Sequence, residues 1–222
     1  MPRLVARIAL LLALLIPSLA FAGDAAPLGF VGWAKTFAPI AILLVVVAFV
    51  IGRLPKVELG HSPAFLKRRV MNWLPLGLTY SFLYMGRYNL KVSKHAFESM
   101  SDGAGGALMS NEAFGTIFAI GTVVYGLSFL LNGPLTDRYG GKFSILMGAG
   151  GASVMNAAMG VASWSLLHHG PGSDLLAKHF VLVFSVLYAL NMYFQSFGAV
   201  AIVKVNASWF HVNERGVFGA IF

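Results

Sequence analysis

Residues 70–91 read VMNWLPLGLTYSFLYMGRYNLK, and the predicted fold is built outward from this segment. Its first seventeen residues contain no charged side chain, which is typical of a helix inside a lipid bilayer. At about 100° per residue, four polar side chains share one side of such a helix: Tyr80, Tyr84, Arg87 and Lys91. An arginine at the centre of a bilayer costs about 2.5–3.5 kcal/mol on insertion scales, so it normally faces a protein interior or a wet cavity. The stripe therefore predicts one wall of an anion-binding cavity.

A second interpretation of the same stripe is a position near the membrane surface. Arg87 lies roughly 25 Å along a helix that starts at Val70. Its side chain would then extend to water at the far interface, as those of Lys91 and Lys94 are expected to do. Both interpretations of Arg87 are open at this point.

The composition is that of a membrane protein. Hydrophobic residues make up 58% of the chain, charged residues 11%, and the mean hydropathy is +0.76. Lys and Arg together number 16 against 8 Asp and Glu, a net charge of +8. These cations cluster between apolar runs, where they orient membrane helices, so we expect lipid contacts and no nucleic acid. The absence of cysteine excludes disulfides and thiolate metal sites.

The residues within the apolar runs indicate neither a catalytic site nor a cofactor site. They contain no pair of carboxylates, no nucleophile with a base and no cluster of metal ligands. The histidine pair His168-His169 falls in a predicted loop with no further ligands at metal-binding spacing. We therefore predict that the protein is not an enzyme.

The amino-terminal region resembles a targeting segment. In residues 1–22, Arg3 and Arg7 precede an apolar run, and Ala20-Phe21-Ala22 has the small-x-small pattern of a cleavage site. This region is predicted to be a signal peptide or an uncleaved signal anchor.

Residues 23–69 are predicted to contain one extra membrane span and a basic linker. The span covers Thr36–Gly52, which contains no charge. A cluster of cations follows it: Arg53, Lys56, Lys67, Arg68 and Arg69. By the positive-inside rule this linker is cytoplasmic.

Residues 70–222 are predicted to form a helical bundle of four helices and the start of a fifth. The four predicted helices are Val70–Val92, Glu112–Asn132, Phe143–Leu167 and His179–Val203. Ser110 or Asn111 can cap the second. The sequence ends at Phe222, a few residues into another apolar run, so we expect an incomplete bundle.

A ten-residue segment between the second and third helices, GPLTDRYGGK at 133–142, is predicted to be a cytoplasmic turn. Its glycines permit a sharp reversal, its aspartate can accept hydrogen bonds from amides at a neighbouring helix N-terminus, and its cations face the anionic lipid surface. The segment is a candidate conformational latch between helix bundles, and the residues concerned are Gly133, Asp137, Arg138, Gly141 and Lys142.

This segment resembles the signature loop of the major facilitator superfamily. The stretches YMGRYNL at 84–90 and YFQSFG at 193–198, with KVNASWFHVNERG at 204–216, resemble the organophosphate:phosphate antiporters, which include glycerol-3-phosphate and hexose-phosphate transporters. The resemblance covers roughly residues 65–222. It implies that Arg87 binds the substrate phosphate and that four further residues line the site, namely Tyr80, Tyr84, Tyr125 and Lys204.

Two positions depart from the pattern of that family. Tyr88 and Phe129 stand where the glycerol-3-phosphate transporters have lysines, which leaves the identity of the substrate open. Lys204 stands at a family arginine position, so the charge is kept and the planar fork is lost.

The expected function is secondary active transport of phosphate or an organophosphate by alternating access, in a multi-pass protein of the bacterial inner membrane. Two six-helix halves need on the order of 400 residues, so we expect the missing carboxy-terminal half to be required as a partner. The alternative is a transporter-like membrane sensor or regulatory subunit that binds a phosphorylated ligand without moving it.

Overall fold

The computed structural model describes residues 59–101 and 105–215, and single positions between residues 29 and 49. The chain divides into two compact units, residues 1–55 and residues 56–222. In the first unit the described positions from 30 to 49 are helical. The predicted signal segment, the cations Arg53 and Lys56 of the linker and the predicted start of a fifth helix lie outside the described residues.

The second unit is built from helices in the part of the chain that is described. They are α1 (Pro63–Glu98), α2 (Asn111–Leu167), α3 (Ser173–Lys178) and α4 (Phe180–Trp209). The Ser62 side chain accepts a hydrogen bond from the Phe65 amide and Pro63 occupies the first turn, so α1 begins well before the predicted Val70. Ser110 caps α2 in the same way, as predicted.

The helix α2 consists of two helices joined at Gly140, whose φ of 86° and ψ of 164° are not helical. We call them α2a (residues 111–139) and α2b (residues 141–167). Such a positive φ favours glycine because a Cβ would clash with the backbone. The prediction of a ten-residue turn at 133–142 is wrong in extent, because helical geometry continues through Pro134 to Tyr139 and the departure from it is confined to Gly140. The hydroxyl of Ser144 donates to that of Thr136 across the kink, at 2.7 Å.

The contacts with α4 show that the chain reverses between α2a and α2b. Along α2a, Gly121 faces Tyr188 and Asn132 contacts Ser196, so α2a runs parallel to α4. Along α2b the order is opposite, since Gly148 faces Gly198 and the later Asn156 contacts the earlier Asn191. The two parts of α2 are therefore antiparallel to each other.

The helix α1 runs antiparallel to α4. Its first turn lies against the end of α4, with the rings of Phe65 and Trp209 5.7 Å apart. Its last turn lies against the start of α4, with the rings of Phe97 and Phe184 5.4 Å apart. The helices α1, α2a, α2b and α4 thus form an up-and-down bundle, which is an arrangement that short connections favour.

A stripe of small residues at every fourth position of α2b, namely Gly148, Ala152, Asn156 and Gly160, is of the kind that allows helices to approach closely. A Cβ on Gly148 would lie 2.9 Å from the backbone nitrogen of Gly198. A Cβ on Gly151 would lie 2.2 Å from the ring of Phe194. Gly160, at the other end of the same stripe, faces open space.

The surface of the bundle is that of a membrane protein. Two of the described helices, α2 and α4, are long and apolar enough to cross a membrane. Large apolar side chains point outward from them, among others Leu130, Val161, Leu182 and Val203. The protein is therefore an all-α membrane protein, as its composition predicts.

Candidate anion-binding site

Arg87 is held by side chains from three helices. Its guanidinium carbon lies 4.6 Å from the ring centre of Tyr84 on α1 and 4.3 Å from that of Tyr125 on α2a. Its Nε donates a hydrogen bond of 3.1 Å to Oε1 of Gln195 on α4. Because the electron-rich faces of aromatic rings attract a cation, both tyrosines stabilise the charge and orient the guanidinium plane.

The neighbours of Arg87 come from the middle of their helices. Tyr125 is the fifteenth of the 29 residues of α2a, and Gln195 is the sixteenth of the 30 residues of α4. At 1.5 Å per residue, either end of these helices is roughly 20 Å away, which is farther than an arginine side chain extends. The geometry favours an arginine inside the bundle over one that reaches the membrane surface.

Tyr80 extends this cluster by one turn of α1. Its hydroxyl donates to the Tyr84 hydroxyl at 3.3 Å, and the two rings meet edge to face with centres 4.9 Å apart. The structure thus brings together four residues named from the sequence, Tyr80, Tyr84, Arg87 and Tyr125. We call these four residues the Arg87 cluster.

The arginine keeps hydrogen-bonding capacity for a ligand. Within the described part of the chain, Nε is the only nitrogen of Arg87 that has a hydrogen-bond partner. Its two terminal amino groups therefore remain available, and together they form the planar fork that binds two oxygens of a carboxylate or phosphate. Tyr84 is 37% exposed, so the cluster is open to a ligand.

Behind the cluster lies a relay of amide side chains that sequence reasoning missed. Nε2 of Gln195 donates to Oδ1 of Asn191, and Nδ2 of Asn156 donates to the same oxygen, both at 3.1 Å. Nδ2 of Asn89 in turn donates to Oδ1 of Asn156 at 3.0 Å. The sequence contains several asparagine and glutamine residues within its apolar runs. Because buried amide side chains need hydrogen-bond partners, these residues could have been expected to contact one another.

Lys204 does not join the Arg87 cluster. It lies nine residues after Gln195 on α4, roughly 14 Å along the helix. Its Nζ donates to Oδ1 of Asp137 at 2.5 Å, so the structure pairs it with the predicted latch. The sequence predicts a contact of Asp137 with the N-terminus of a neighbouring helix. In the structure Asp137 instead forms an ion pair with Lys204, which lies in the last third of α4.

The other predicted latch residues have different surroundings. A Cβ on Gly141 would lie 2.5 Å from the Val205 side chain, so this glycine permits close packing on α4. Arg138 lies over the ring of Tyr139, with 5.4 Å to its centre, and Lys142 is exposed. Gly133 faces open space.

A second ion pair joins the start of α1 to the segment after α4. Nη1 of Arg69 donates to both carboxylate oxygens of Glu214, at 3.1 and 3.0 Å. Both side chains are largely shielded, with 12% and 13% of their surface exposed. This pair lies at the same end of the bundle as Gly140, and we call this end the Gly140 end.

The fold and the site together define a class: an all-α membrane protein with an arginine packed between three helices. No protein-family model and no solved structure matches the sequence. The chain is similar to the membrane sensor protein UhpC of Salmonella typhimurium, 22% identical over 169 residues, and to that of Escherichia coli, 21% identical over 169 residues. The aligned part is 75% of this chain in both cases, and 32% and 33% of the relatives. The chain thus spans about a third of the length of the curated relatives it matches.

Proposed function

We propose that the chain is the amino-terminal part of a multi-pass secondary transporter of the bacterial inner membrane that moves phosphate or an organophosphate. The observation that carries the proposal is Arg87, held between Tyr84 and Tyr125 while no described residue accepts a hydrogen bond from its fork. An ionisable group inside a membrane bundle is expensive to keep and is a functional site by default.

The chemistry of the cluster suits a phosphate group. The fork of Arg87 can bind two phosphate oxygens through charge-assisted hydrogen bonds. The hydroxyl of Tyr84 accepts a hydrogen bond from Tyr80 and keeps its own proton for a further acceptor. Because Arg87 is partly buried among the helices, attraction between the guanidinium and an anion is stronger there than at a fully exposed surface.

The arrangement of the bundle suits alternating access. In transporters of this type, two halves rock about a site near the midplane of the membrane. Such a site is supported by the contacts of Arg87, which fall halfway along α2a and α4, and by the ion pair of Asp137 with Lys204 at the Gly140 end. We assign to Gly133, Asp137, Arg138, Gly141 and Lys142 the role of a latch that holds one of the two conformations. The partner half, with a second set of ligands, would come from the rest of the protein.

A second candidate function is sensing. It is favoured by the name of the relatives, which are membrane sensor proteins. A sensor would bind the phosphorylated ligand at the same Arg87 cluster and pass on the change of conformation without moving the ligand.

The proposal is tested by phosphate binding to the full protein in lipid nanodiscs. We expect inorganic phosphate and glycerol-3-phosphate to bind, and Arg87→Ala to weaken binding about 10- to 150-fold, since hydrogen bonds to charged groups contribute about 1.5–3 kcal/mol. Arg87→Lys keeps the charge and loses the fork, so we expect an intermediate loss. Arg68→Ala is the matched control, because Arg68 is an exposed arginine on α1 far from the cluster. Equal affinity of the Arg87→Ala variant and the unaltered protein would refute the site.

The same protein in proteoliposomes separates the two functions. Exchange of external radiolabelled phosphate for internal phosphate, lost in Arg87→Ala and kept in Arg68→Ala, supports transport. Binding that depends on Arg87 without any exchange supports sensing.

A further inference from the structure

The hydrogen bonds of the amide relay run toward Asn191 from both sides, from Arg87 through Gln195 and from Asn89 through Asn156. The guanidinium Nε–H donates to the Gln195 oxygen, and the Gln195 amino group donates to the Asn191 oxygen. A glutamine side chain has one oxygen and one amino group, which point in opposite directions. Because Asn191 accepts from the amino group, the oxygen of Gln195 must face Arg87.

The orientation of Asn191 is itself determined by two donors. Its Oδ1 accepts from Gln195 and also from Nδ2 of Asn156, which is anchored to the Ala152 carbonyl at 2.9 Å. If the Asn191 amide were reversed, amino groups would face amino groups. The fold keeps this orientation although Asn191 is fully buried and its own Nδ2 has no partner among the described residues. An unpaired buried donor destabilises the native state, and such groups are found at functional sites.

The relay also connects three helices. It starts at Arg87 on α1, passes through Gln195 and Asn191 on α4 to Asn156 on α2b, and returns to Asn89 on α1. The position of the Arg87 fork is therefore tied to the packing of the bundle, in addition to the contacts with the two tyrosines.

We propose that Asn191 is a positioning residue of the anion site. It holds the Gln195 oxygen toward Arg87 and thereby keeps the terminal amino groups of Arg87 directed at the ligand. This inference rests on the proposed function, because it assumes that Arg87 binds a phosphate group.

The proposal is tested with leucine substitutions and inorganic phosphate in the full protein. We expect Asn191→Leu and Gln195→Leu each to weaken phosphate binding about tenfold, the scale seen when outer partners of metal ligands are removed. If Asn191 acts through Gln195, the double variant binds about as weakly as either single variant, because coupled residues are not additive. If the loss of phosphate affinity in the double variant equals the product of the losses in the two single variants, the two residues act independently and the proposal is overturned.

Asn132→Leu is the matched control. Asn132 is also a fully buried asparagine that joins α2 to α4, through Tyr193 and Ser196, and it has no contact with the relay. We expect phosphate binding of this variant to stay within about twofold of the unaltered protein, since no ligand contact changes. Asn191→Leu removes the unpaired Nδ2 of Asn191 and leaves Nε2 of Gln195 unpaired in its place, while Asn156 keeps its bond to Ala152. The number of unpaired buried donors among the described residues therefore does not increase in either leucine variant. Equal loss of affinity in Asn132→Leu and Asn191→Leu would show a general packing effect and overturn the proposal.

A spectroscopic measurement tests the relay without any ligand. In protein labelled with 15N-arginine, the Nε–H signal of Arg87, assigned by its absence in Arg87→Lys, reports the hydrogen bond to Gln195. We expect this proton to exchange slowly with water in the unaltered protein and in Asn132→Leu, and faster in Asn191→Leu. Unchanged exchange in Asn191→Leu would refute the relay, whether or not phosphate binds. Faster exchange together with an absence of phosphate binding would uphold the relay and refute the anion site.

Discussion

At the scale of the residue, the surroundings of Arg87 explain why an arginine and two tyrosines belong together. A guanidinium is flat and weakly hydrated, so aromatic faces can cover it while its edge still forms hydrogen bonds. The guanidinium carbon lies over the rings of Tyr84 and Tyr125, and Nε donates to Gln195. A lysine would offer a single point charge with no plane for the rings to hold.

The ring of Tyr125 can be tested separately from its hydroxyl. We expect Tyr125→Phe to leave phosphate affinity within about twofold, because the ring face is kept. Tyr125→Leu removes the face, and the loss of about 0.5–2 kcal/mol of cation–π attraction is expected to weaken binding about 2- to 30-fold. Titration of the full protein with phosphate measures both, and equal affinities in the two variants would show that the ring face contributes nothing.

At the scale of the element, glycines determine how α2b packs on α4. Gly148 is buried, and a methyl group there would meet two backbone atoms, the Gly198 nitrogen at 2.9 Å and the Phe194 carbonyl oxygen at 3.2 Å. Backbone atoms cannot move aside as a flexible side chain can. The two helices would have to separate.

Two alanine substitutions on the same helix test this packing. We expect Gly148→Ala to destabilise the bundle by about 1–3 kcal/mol, the usual cost of overpacking. Gly150→Ala is the control, because a methyl group there meets nothing within 4 Å and alanine favours the helix by about 0.5–1 kcal/mol. Unfolding of the purified protein by heat or denaturant compares them, and a Gly148→Ala variant as stable as Gly150→Ala would contradict the close contact.

At the scale of the whole molecule, two ion pairs join distant parts of the chain at the Gly140 end. Arg69 and Glu214 are separated by 145 residues, and Asp137 and Lys204 by 67. The first pair is largely shielded, and the Arg69 guanidinium also lies 4.7 Å from the ring centre of Phe210. The second is open to solvent, with 75% of the Asp137 side chain exposed.

We therefore expect the two pairs to contribute very differently to stability. Glu214→Gln removes the carboxylate of the largely shielded pair with Arg69, and breaking a buried pair typically costs about 3–5 kcal/mol. Asp137→Asn breaks the exposed pair and is expected to change stability by at most about 1 kcal/mol, because water screens it. Thermal unfolding of both variants measures the difference, and equal shifts in melting temperature would contradict it. An effect of Asp137→Asn on phosphate exchange without an effect on stability would support the latch that we propose.

Much of the candidate site was predictable because it depends on helical periodicity. Tyr80, Tyr84 and Arg87 share one face of α1 by their spacing alone, and the structure keeps them together. The placement of Tyr125 came from the family resemblance, and the structure brings it to Arg87. Lys204 was placed with them by the same resemblance and instead pairs with Asp137, since nine residues of helix carry it away from the cluster.

The sequence by itself determined the class of protein and the faces of its helices, because hydrophobic length and period are local properties of the chain. Only the tertiary structure decided which residues meet. The contact between Arg87 and Gln195 crosses 108 residues, and the relay through Asn191 and Asn156 joins three helices. Contacts between residues so far apart in the chain cannot be read from a local sequence pattern. They depend on how the helices pack against each other, whereas spacing along one helix shows only which residues share a face.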